Sequence, residues 1–185
     1  MIVIGIDPGL SGAITALKRE DWSVMDAIRM PVVPDLGKTI VDAHALCEFF
    51  RKYQAIGPVH VNIERVHSMP TDGAAGAFAF GMAYGAALTV LAVLGVPITK
   101  VTPQSWKKAS GTNRGPGAIE GPPADPTPEE TKAYKARLAA AKRKAKDVAR
   151  GRAIELWPQW DKLRTVEAGQ AYADAALIAR FGGSA

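Results

Sequence analysis

Several acidic side chains of this chain stand where they could bind a divalent metal ion, and the first is Asp7. It follows the β-branched apolar run 2–6, which favours a buried strand, and it precedes Pro8 and Gly9, which end one. A carboxylate at the tip of a buried strand is costly unless something binds it, and a metal ion is an obvious candidate. Alternatively, Asp7 caps the turn by accepting backbone N–H groups, and this segment alone leaves both interpretations open.

Three further acids could join Asp7. Glu64 ends segment 59–64, whose alternating apolar residues predict a strand, and parallel neighbouring strands would bring the two carboxylates together. Asp174 interrupts the small apolar run 173–179 of a predicted helix, where solvation explains it poorly. Glu167 lies two helical turns earlier and could share that face. An ion pair with a nearby Lys or Arg is the alternative for each acid, and explains Glu167 equally well.

The chemistry of these candidates favours a hard metal ion. Converging carboxylates without a histidine or cysteine cluster favour Mg²⁺, with Mn²⁺ as a substitute. Two such ions ~4 Å apart would clamp the attacking water and the leaving oxygen of a phosphodiester.

A block of basic residues supplies a reason for phosphate to be nearby. Between residues 132 and 152 a single acid, Asp147, accompanies nine basic residues: Lys132, Lys135, Arg137, Lys142, Arg143, Lys144, Lys146, Arg150 and Arg152. Such a block is either a solvated helix face or a polyanion-binding surface, and the one-sided charge favours the second interpretation. Together with the carboxylates, it indicates nucleic-acid hydrolysis.

The elements that must position these groups follow from the apolar periodicity. The pattern predicts strands at the N-terminus, 12–17 and 23–30, a helix over 40–53, a strand over 59–64, a long apolar helix after residue 73 and a strand near 98–101. Two helices follow, from residue 127 towards 156 and over about 168–180, the first with a capping Thr127 and Pro128. This order, βββαβαβα, predicts an α/β fold with helices on a mixed central sheet.

Composition bounds the remaining questions. At 185 residues one domain is expected over 1–185, with a Gly- and Pro-rich loop at 111–128. The single cysteine, Cys47, excludes a disulfide framework, and no signal peptide is evident, so a cytoplasmic protein is expected. Residues 73–99 carry no charge, and their Gly and Ala content favours a buried helix over a membrane span.

Several of these segments resemble a known family. The runs Gly5-Ile6-Asp7-Pro8-Gly9, Ile63-Glu64-Arg65-Val66 and Asp174-Ala175-Ala176-Leu177-Ile178-Ala179 resemble the RuvC-type Holliday junction resolvases, and Val101-Thr102-Pro103-Gln104-Ser105-Trp106-Lys107-Lys108 is similar to a segment of phage-borne members. The resemblance implies an RNase H-like fold, a homodimer and paired Mg²⁺-dependent nicks across four-way DNA junctions, with no membrane and no small-molecule cofactor. Residues 111–135 have no counterpart in it.

The resemblance assigns roles residue by residue. It implies metal binding and catalysis by Asp7, Glu64 and Asp174. A fourth acid of bacterial members would fall at Ala171, so Glu167 is the proposed substitute. The basic residue of the penultimate helix matches Lys146, which could steady the transition-state phosphate. The junction-probing aromatic residue matches His67, and further candidate DNA contacts are Lys107, Lys108, Arg114, Lys142, Arg143 and Arg150.

Other functions stay open at this stage. An RNase H-like nuclease could act on flaps, forks or RNA–DNA hybrids. Because alanine stands at position 171 instead of a fourth acid, the protein could also bind junctions without cleaving them. A sugar-kinase-like ATP site around Gly5, Gly9 and Gly12 is disfavoured, because those proteins need two such lobes and 185 residues hold one.

Overall fold

A computed structural model describes residues 1–65, 73–113, 121 and 125–183, without the side chains of residues 142–146 and 167. Its centre is a five-stranded mixed sheet in the order β3-β2-β1-β6-β7. Strands β1, β2 and β3 form an antiparallel meander, whereas β6 and β7 extend it in parallel from β1. The strands are β1 (Ile2–Asp7), β2 (Ala13–Lys18), β3 (Val24–Arg29), β4 (Val32–Asp35), β5 (Lys38–Val41), β6 (Val59–Glu64) and β7 (Ile98–Val101).

Helices cover both faces of the sheet, which confirms the predicted α/β architecture. They are α1 (Ala43–Gln54), α2 (Ala74–Val93), α3 (Pro103–Ser110), α4 (Pro128–Leu156) and α5 (Val166–Phe181), with a short 3-10 helix at Asp161–Leu163. Side chains alternate across a strand, so Ile2, Ile4 and Ile6 of β1 enter the core formed with α1 and α2. Val3 enters the opposite core, with residues from α3, α4 and α5.

The predicted start of the basic helix is confirmed. Thr127 and Glu130 form a reciprocal capping box, in which the Thr127 Oγ1 accepts from the Glu130 N–H at 3.2 Å and the Thr127 N–H donates to Glu130 Oε2 at 2.8 Å. Pro128 occupies the first helical turn, where its missing N–H has no consequence.

Two elements differ from the prediction. The sequence predicts no strand between residues 30 and 40 and a helix from residue 40. The structure instead has the hairpin β4–β5 over residues 32–41. Its two loop residues, Leu36 and Gly37, both have positive φ, 45° and 79°, which suits the twist of a tight hairpin. Pro34 is tolerated because this two-stranded ribbon is exposed. The helix then begins at Ala43, capped by Asp42.

Helix α3 is the second difference, because the sequence analysis assigned no element to residues 103–110. The Thr102 Oγ1 accepts from the Ser105 N–H at 3.2 Å, Pro103 stands in the first turn, and Gly111 ends the helix at φ 76°. These are ordinary start and stop signals. The apolar pattern does not predict this helix, because it has only eight residues and Trp106 is its one large apolar residue.

Helix α2 was predicted to be buried, but only one side of it is covered. Ala83, Ala87, Val90 and Leu91 pack into the core, whereas Phe78 and Val93 are 68% and 77% exposed. Within the described ranges it is the one helix whose length and composition would allow a membrane crossing, and 22% of its apolar window is buried.

Candidate active site

Asp7 and Glu64 lie side by side at the carboxyl edge of the sheet. Strands β1 and β6 are parallel neighbours, and the pairing of Ile6 with Ile63 places the next residue of each strand at the same edge. This confirms the expected convergence of the two strand ends. Behind Asp7 the chain turns tightly, and the Gly12 N–H donates to the Gly9 carbonyl at 2.8 Å. A Cβ at Gly12 would collide with the Asp7 carbonyl oxygen, so this turn requires glycine.

Helix α5 brings Asp174 to the same place because it packs directly against β1. Gly5 makes this approach possible, since a Cβ there would collide with the Ala175 carbonyl oxygen. Small residues are frequent among the buried positions of α5; Ala173, Ala175 and Ala179 are at most 1% exposed. Asp174 therefore stands in the otherwise apolar run 173–179, as predicted, at a point where the helix lies close to β1.

The electrostatics show that the three carboxylates interact. Burial is the largest cause that raises the pKa of Asp7, and the carboxylates of Asp174 and Glu64 raise it further, to about 7. The Gly9 backbone N–H and the charge of Arg29 act in the opposite direction. Asp7 therefore accepts a turn N–H and also lies beside two other carboxylates, and its role as a metal ligand stays a prediction.

A buried indole holds the Glu64 carboxylate. Trp106 of α3 is 1% exposed, and its Nε1–H donates to Glu64 Oε1 at 2.8 Å. The amide N–H of Arg65 also donates to the Val101 carbonyl at 2.6 Å, which ties the end of β6 to the end of β7. Glu64 is therefore fixed on both its backbone and its side chain.

A neutral amide contacts the Asp174 carboxylate. Gln170 lies one helical turn earlier, and its Nε2 donates to both Asp174 oxygens, at 3.0 and 3.1 Å. Like the indole, this amide orients a carboxylate without adding positive charge. Neither Trp106 nor Gln170 was a predicted site residue. Trp106 stands in the motif segment, and Gln170 stands at the i−4 position of Asp174, which are the signals that could have found them.

The donor set fits a hard divalent cation, although the site is not a closed cage. A divalent cation would bind the carboxylate oxygens of the site. Its positive charge would also lower the raised pKa of Asp7. Across the described part of the chain, however, no three acidic, histidine or cysteine side chains are gathered closely enough to form a ready metal site. Glu167, in the first turn of α5, has a side chain outside the description.

The structure describes only some of the predicted DNA contacts. His67 and Arg114 lie outside the described residues, as do the side chains of Lys142, Arg143 and Lys146 on α4. Lys107 and Lys108 lie on α3 next to Trp106 and line a groove of about 370 Å³ with Pro103, Gln104 and Asn113.

Arg150 is engaged within the protein. Its Nη1 donates to the Leu163 carbonyl at 3.2 Å, and its Nη2 contacts Asp147 at 3.4 Å. With 21% of its side chain exposed, it connects α4 to the short 3-10 helix and has little free surface for a phosphate.

Comparisons with known proteins give a structural likeness. No family model matches the chain, and no curated protein matches its sequence. Thermus thermophilus RuvC in complex with a Holliday junction substrate is similar in structure, with a TM-score of 0.53, 16% identity, and 98% of this chain and 91% of that chain covered. A second structure of Thermus thermophilus RuvC has a TM-score of 0.48 and 19% identity, with 98% and 92% covered. The chain therefore has the RuvC-like, RNase H-like α/β fold.

Proposed function

We propose that the protein is a metal-dependent, structure-selective DNA endonuclease that resolves four-way junctions by paired phosphodiester hydrolysis. The observation that carries this proposal is the grouping of Asp7, Glu64 and Asp174, in which burial and then the two neighbouring carboxylates raise the pKa of Asp7 to about 7. A bound cation would relieve the repulsion between the like charges that this site brings together. The similarity to a RuvC structure solved with a Holliday junction supports the choice of substrate.

The metal-binding residues in this proposal are Asp7, Glu64 and Asp174, with Glu167 as the fourth. Bound Mg²⁺, or Mn²⁺ in its place and as two ions per site, would polarise the scissile phosphate and lower the pKa of a bound water. The chain itself would hold the carboxylates in place through Trp106 and Gln170. Lys146 would stabilise the negative charge that develops on the phosphate.

The DNA surface in this proposal begins at α3. Lys107 and Lys108 follow Trp106 on α3, and the Trp106 indole contacts Glu64, so we expect phosphates bound by these lysines to lie near the carboxylates. The remaining proposed DNA contacts are His67, Arg114, Lys142, Arg143 and Arg150. Arg150 would contribute little to DNA binding, because it is hydrogen-bonded within the protein.

We also propose that the protein is a homodimer, because α2 presents an apolar face that nothing in the described chain covers. Phe78, Met82 and Val93 are exposed on this helix, and Gly81 and Gly85 have open space where a side chain would stand. The helix carries no charged residue, so a second copy of the same helix is a suitable partner. Light scattering of the wild type beside Met82→Lys tests this: a dimer that the variant converts to a monomer supports the proposal. A monomeric wild type, or recovery with membranes, contradicts it.

A substrate panel tests the endonuclease. A labelled four-way junction, a flap, a fork, an RNA–DNA hybrid and a linear duplex are incubated with the wild type and with Glu64→Gln in Mg²⁺. We expect symmetric nicks in the junction by the wild type and binding without nicking by the variant. Preferred cleavage of a flap, fork or hybrid would assign a different nuclease. Metal-independent binding without any nicking would support the non-cleaving alternative, to which Ala171 at the fourth acidic position points.

A further inference from the structure

The indole of Trp106 contacts the proposed metal site through its one polar atom. Its Nε1–H lies 2.8 Å from Glu64 Oε1, and the side chain is 1% exposed. A buried indole N–H requires an acceptor, and a carboxylate makes that hydrogen bond stronger than a neutral group does. The hydrogen bond also restricts the rotamers that the Glu64 side chain can adopt at the end of β6.

The chemistry of this donor suits a metal ligand. Indole is a donor only and carries no charge, so it orients Glu64 while leaving the negative charge in place. A lysine or arginine at position 106 would orient the carboxylate equally well but would neutralise it. The next residue, Lys107, has its Nζ 5.2 Å from the centroid of the Trp106 ring, so this cation lies over the ring and not in the hydrogen bond.

The support behind Trp106 is rigid. Val101 at the end of β7 pairs with Glu64, and α3 begins two residues later with a capped first turn. The ring itself packs in the core with Val101, Ala149 and Leu177. Three connections therefore fix the indole relative to β6: the strand pairing, the capped helix and the packing of the ring.

We propose that Trp106 is a positioning residue that holds Glu64 in the orientation for divalent-cation binding. This inference rests on the proposed function for its catalytic consequence, but its first consequence is on cation affinity and can be measured without DNA. Partners that orient a metal ligand typically contribute 10- to 100-fold to affinity or activity.

Trp106→Phe is the decisive variant because it keeps an aromatic ring and removes the N–H. Trp157→Phe is the matched control: Trp157 is 3% exposed in the same core, and its Nε1–H donates to the Trp22 carbonyl at 2.7 Å, away from the carboxylates. Mn²⁺ affinity of the DNA-free proteins is measured by calorimetry, and junction cleavage is measured against Mg²⁺ concentration. We expect about 10- to 100-fold weaker Mn²⁺ binding by Trp106→Phe, restored cleavage at high Mg²⁺, and wild-type metal binding by Trp157→Phe.

The outcomes separate this inference from the endonuclease. Wild-type Mn²⁺ affinity in Trp106→Phe, or an equal loss in Trp157→Phe, overturns the positioning role. A wild type that binds Mn²⁺ but cuts no junction overturns the proposed function, while the comparison of the two variants still decides the role of Trp106. A wild type that binds no divalent cation overturns both.

A second measurement covers the case in which Trp106→Phe does not fold. In ¹⁵N-labelled wild-type protein, the indole N–H resonance of Trp106 should shift during a Mg²⁺ titration, while that of Trp157 stays fixed. No shift at Trp106 contradicts the positioning role.

Discussion

Two aspartates on neighbouring parts of the same sheet have opposite electrostatic surroundings. Asp26 on β3 accepts from Lys52 Nζ at 2.9 Å and from the Tyr53 hydroxyl at 3.0 Å. Burial alone would raise the pKa of Asp26, but these hydrogen bonds and the lysine charge outweigh it and hold the pKa below the usual range. For Asp7 on β1, burial and two neighbouring carboxylates raise the pKa to about 7. The fold neutralises a structural carboxylate and concentrates charge where a cation would be useful.

The largest expected effect is on junction cleavage, which should differ between the Asp7 and Asp26 variants. Asp7→Asn should reduce junction cleavage at least about 10³-fold, because it removes a proposed metal ligand worth several kcal/mol of transition-state stabilisation. Asp26→Asn should leave cleavage near the wild-type rate, because Asp26 lies away from the cluster. Single-turnover cleavage in Mg²⁺ measures both. Similar losses in the two variants would contradict the distinction.

The same pair of variants should have opposite effects on stability. The pKa of Asp7 is raised in the folded state, so the protonated Asp7 carboxyl stabilises the folded protein. This contribution to the free energy of unfolding is fully present below pH 4 and is lost as the pH rises towards 7. Thermal unfolding of the metal-free wild type should therefore show falling stability over this window, by an amount on the order of 4 kcal/mol. Asp7→Asn should flatten the profile and stabilise the protein at pH 8. A profile unchanged by Asp7→Asn would show that the raised pKa is not present.

Asp26→Asn should destabilise the protein modestly. The pKa of Asp26 is lowered in the folded state, so its stabilising contribution is present above pH 4 and lost on acidification. The pair with Lys52 is partly solvent-exposed, so we expect a loss of about 1 kcal/mol at pH 7 in chemical denaturation. A stabilised variant would mean that the ionised Asp26 carboxylate, like that of Asp7, destabilises the folded protein.

The close packing that brings Asp174 to Asp7 gives a further test. Gly5→Ala would place a Cβ against the Ala175 carbonyl oxygen, so α5 must move away from β1. We expect a stability loss of about 1–3 kcal/mol together with weakened cation binding. Ala173→Gly, on the same helix, should lower stability without weakening cation binding and serves as the control. Full cation affinity in Gly5→Ala would show that the site does not depend on this contact.

The smallest expected effect lies on the DNA surface. Replacing both Lys107 and Lys108 with alanine should weaken junction binding and reduce its salt dependence by about two phosphate contacts. Exposed Lys18 and Lys38, which lie outside the basic block, are replaced together as a control of equal charge. Filter binding at several salt concentrations measures the slope. An equal decrease in the control pair would indicate a non-specific effect of net charge.

The sequence predicted the parts of the molecule that depend on local pattern. Alternating and β-branched residues predicted β1 and β6, and their strand-ending positions placed Asp7 and Glu64 at one edge. Asp174 was predicted to be a site residue because it is the one charge in the apolar run 173–179. These inferences succeeded because burial imposes a strong and periodic constraint on residue type.

Other parts depend on tertiary contacts that no local pattern records. Trp106 meets Glu64 across 42 residues of sequence, and the one-sided exposure of α2 depends on which elements pack against it. Hairpin β4–β5 contains Pro34, which argues against a strand unless the ribbon is known to be exposed. The fourth carboxylate stays a prediction, because the side chain of Glu167 is outside the described residues.

The most direct test of the central claim is cleavage of a labelled four-way junction during a Mg²⁺ titration by the wild type and Glu64→Gln. Junction binding in EDTA confirms that both proteins are folded and engage DNA. The clustered carboxylates predict wild-type cleavage that rises with Mg²⁺ and is absent in the variant. Cleavage by Glu64→Gln at the wild-type rate, or wild-type cleavage that persists in EDTA, would contradict the account.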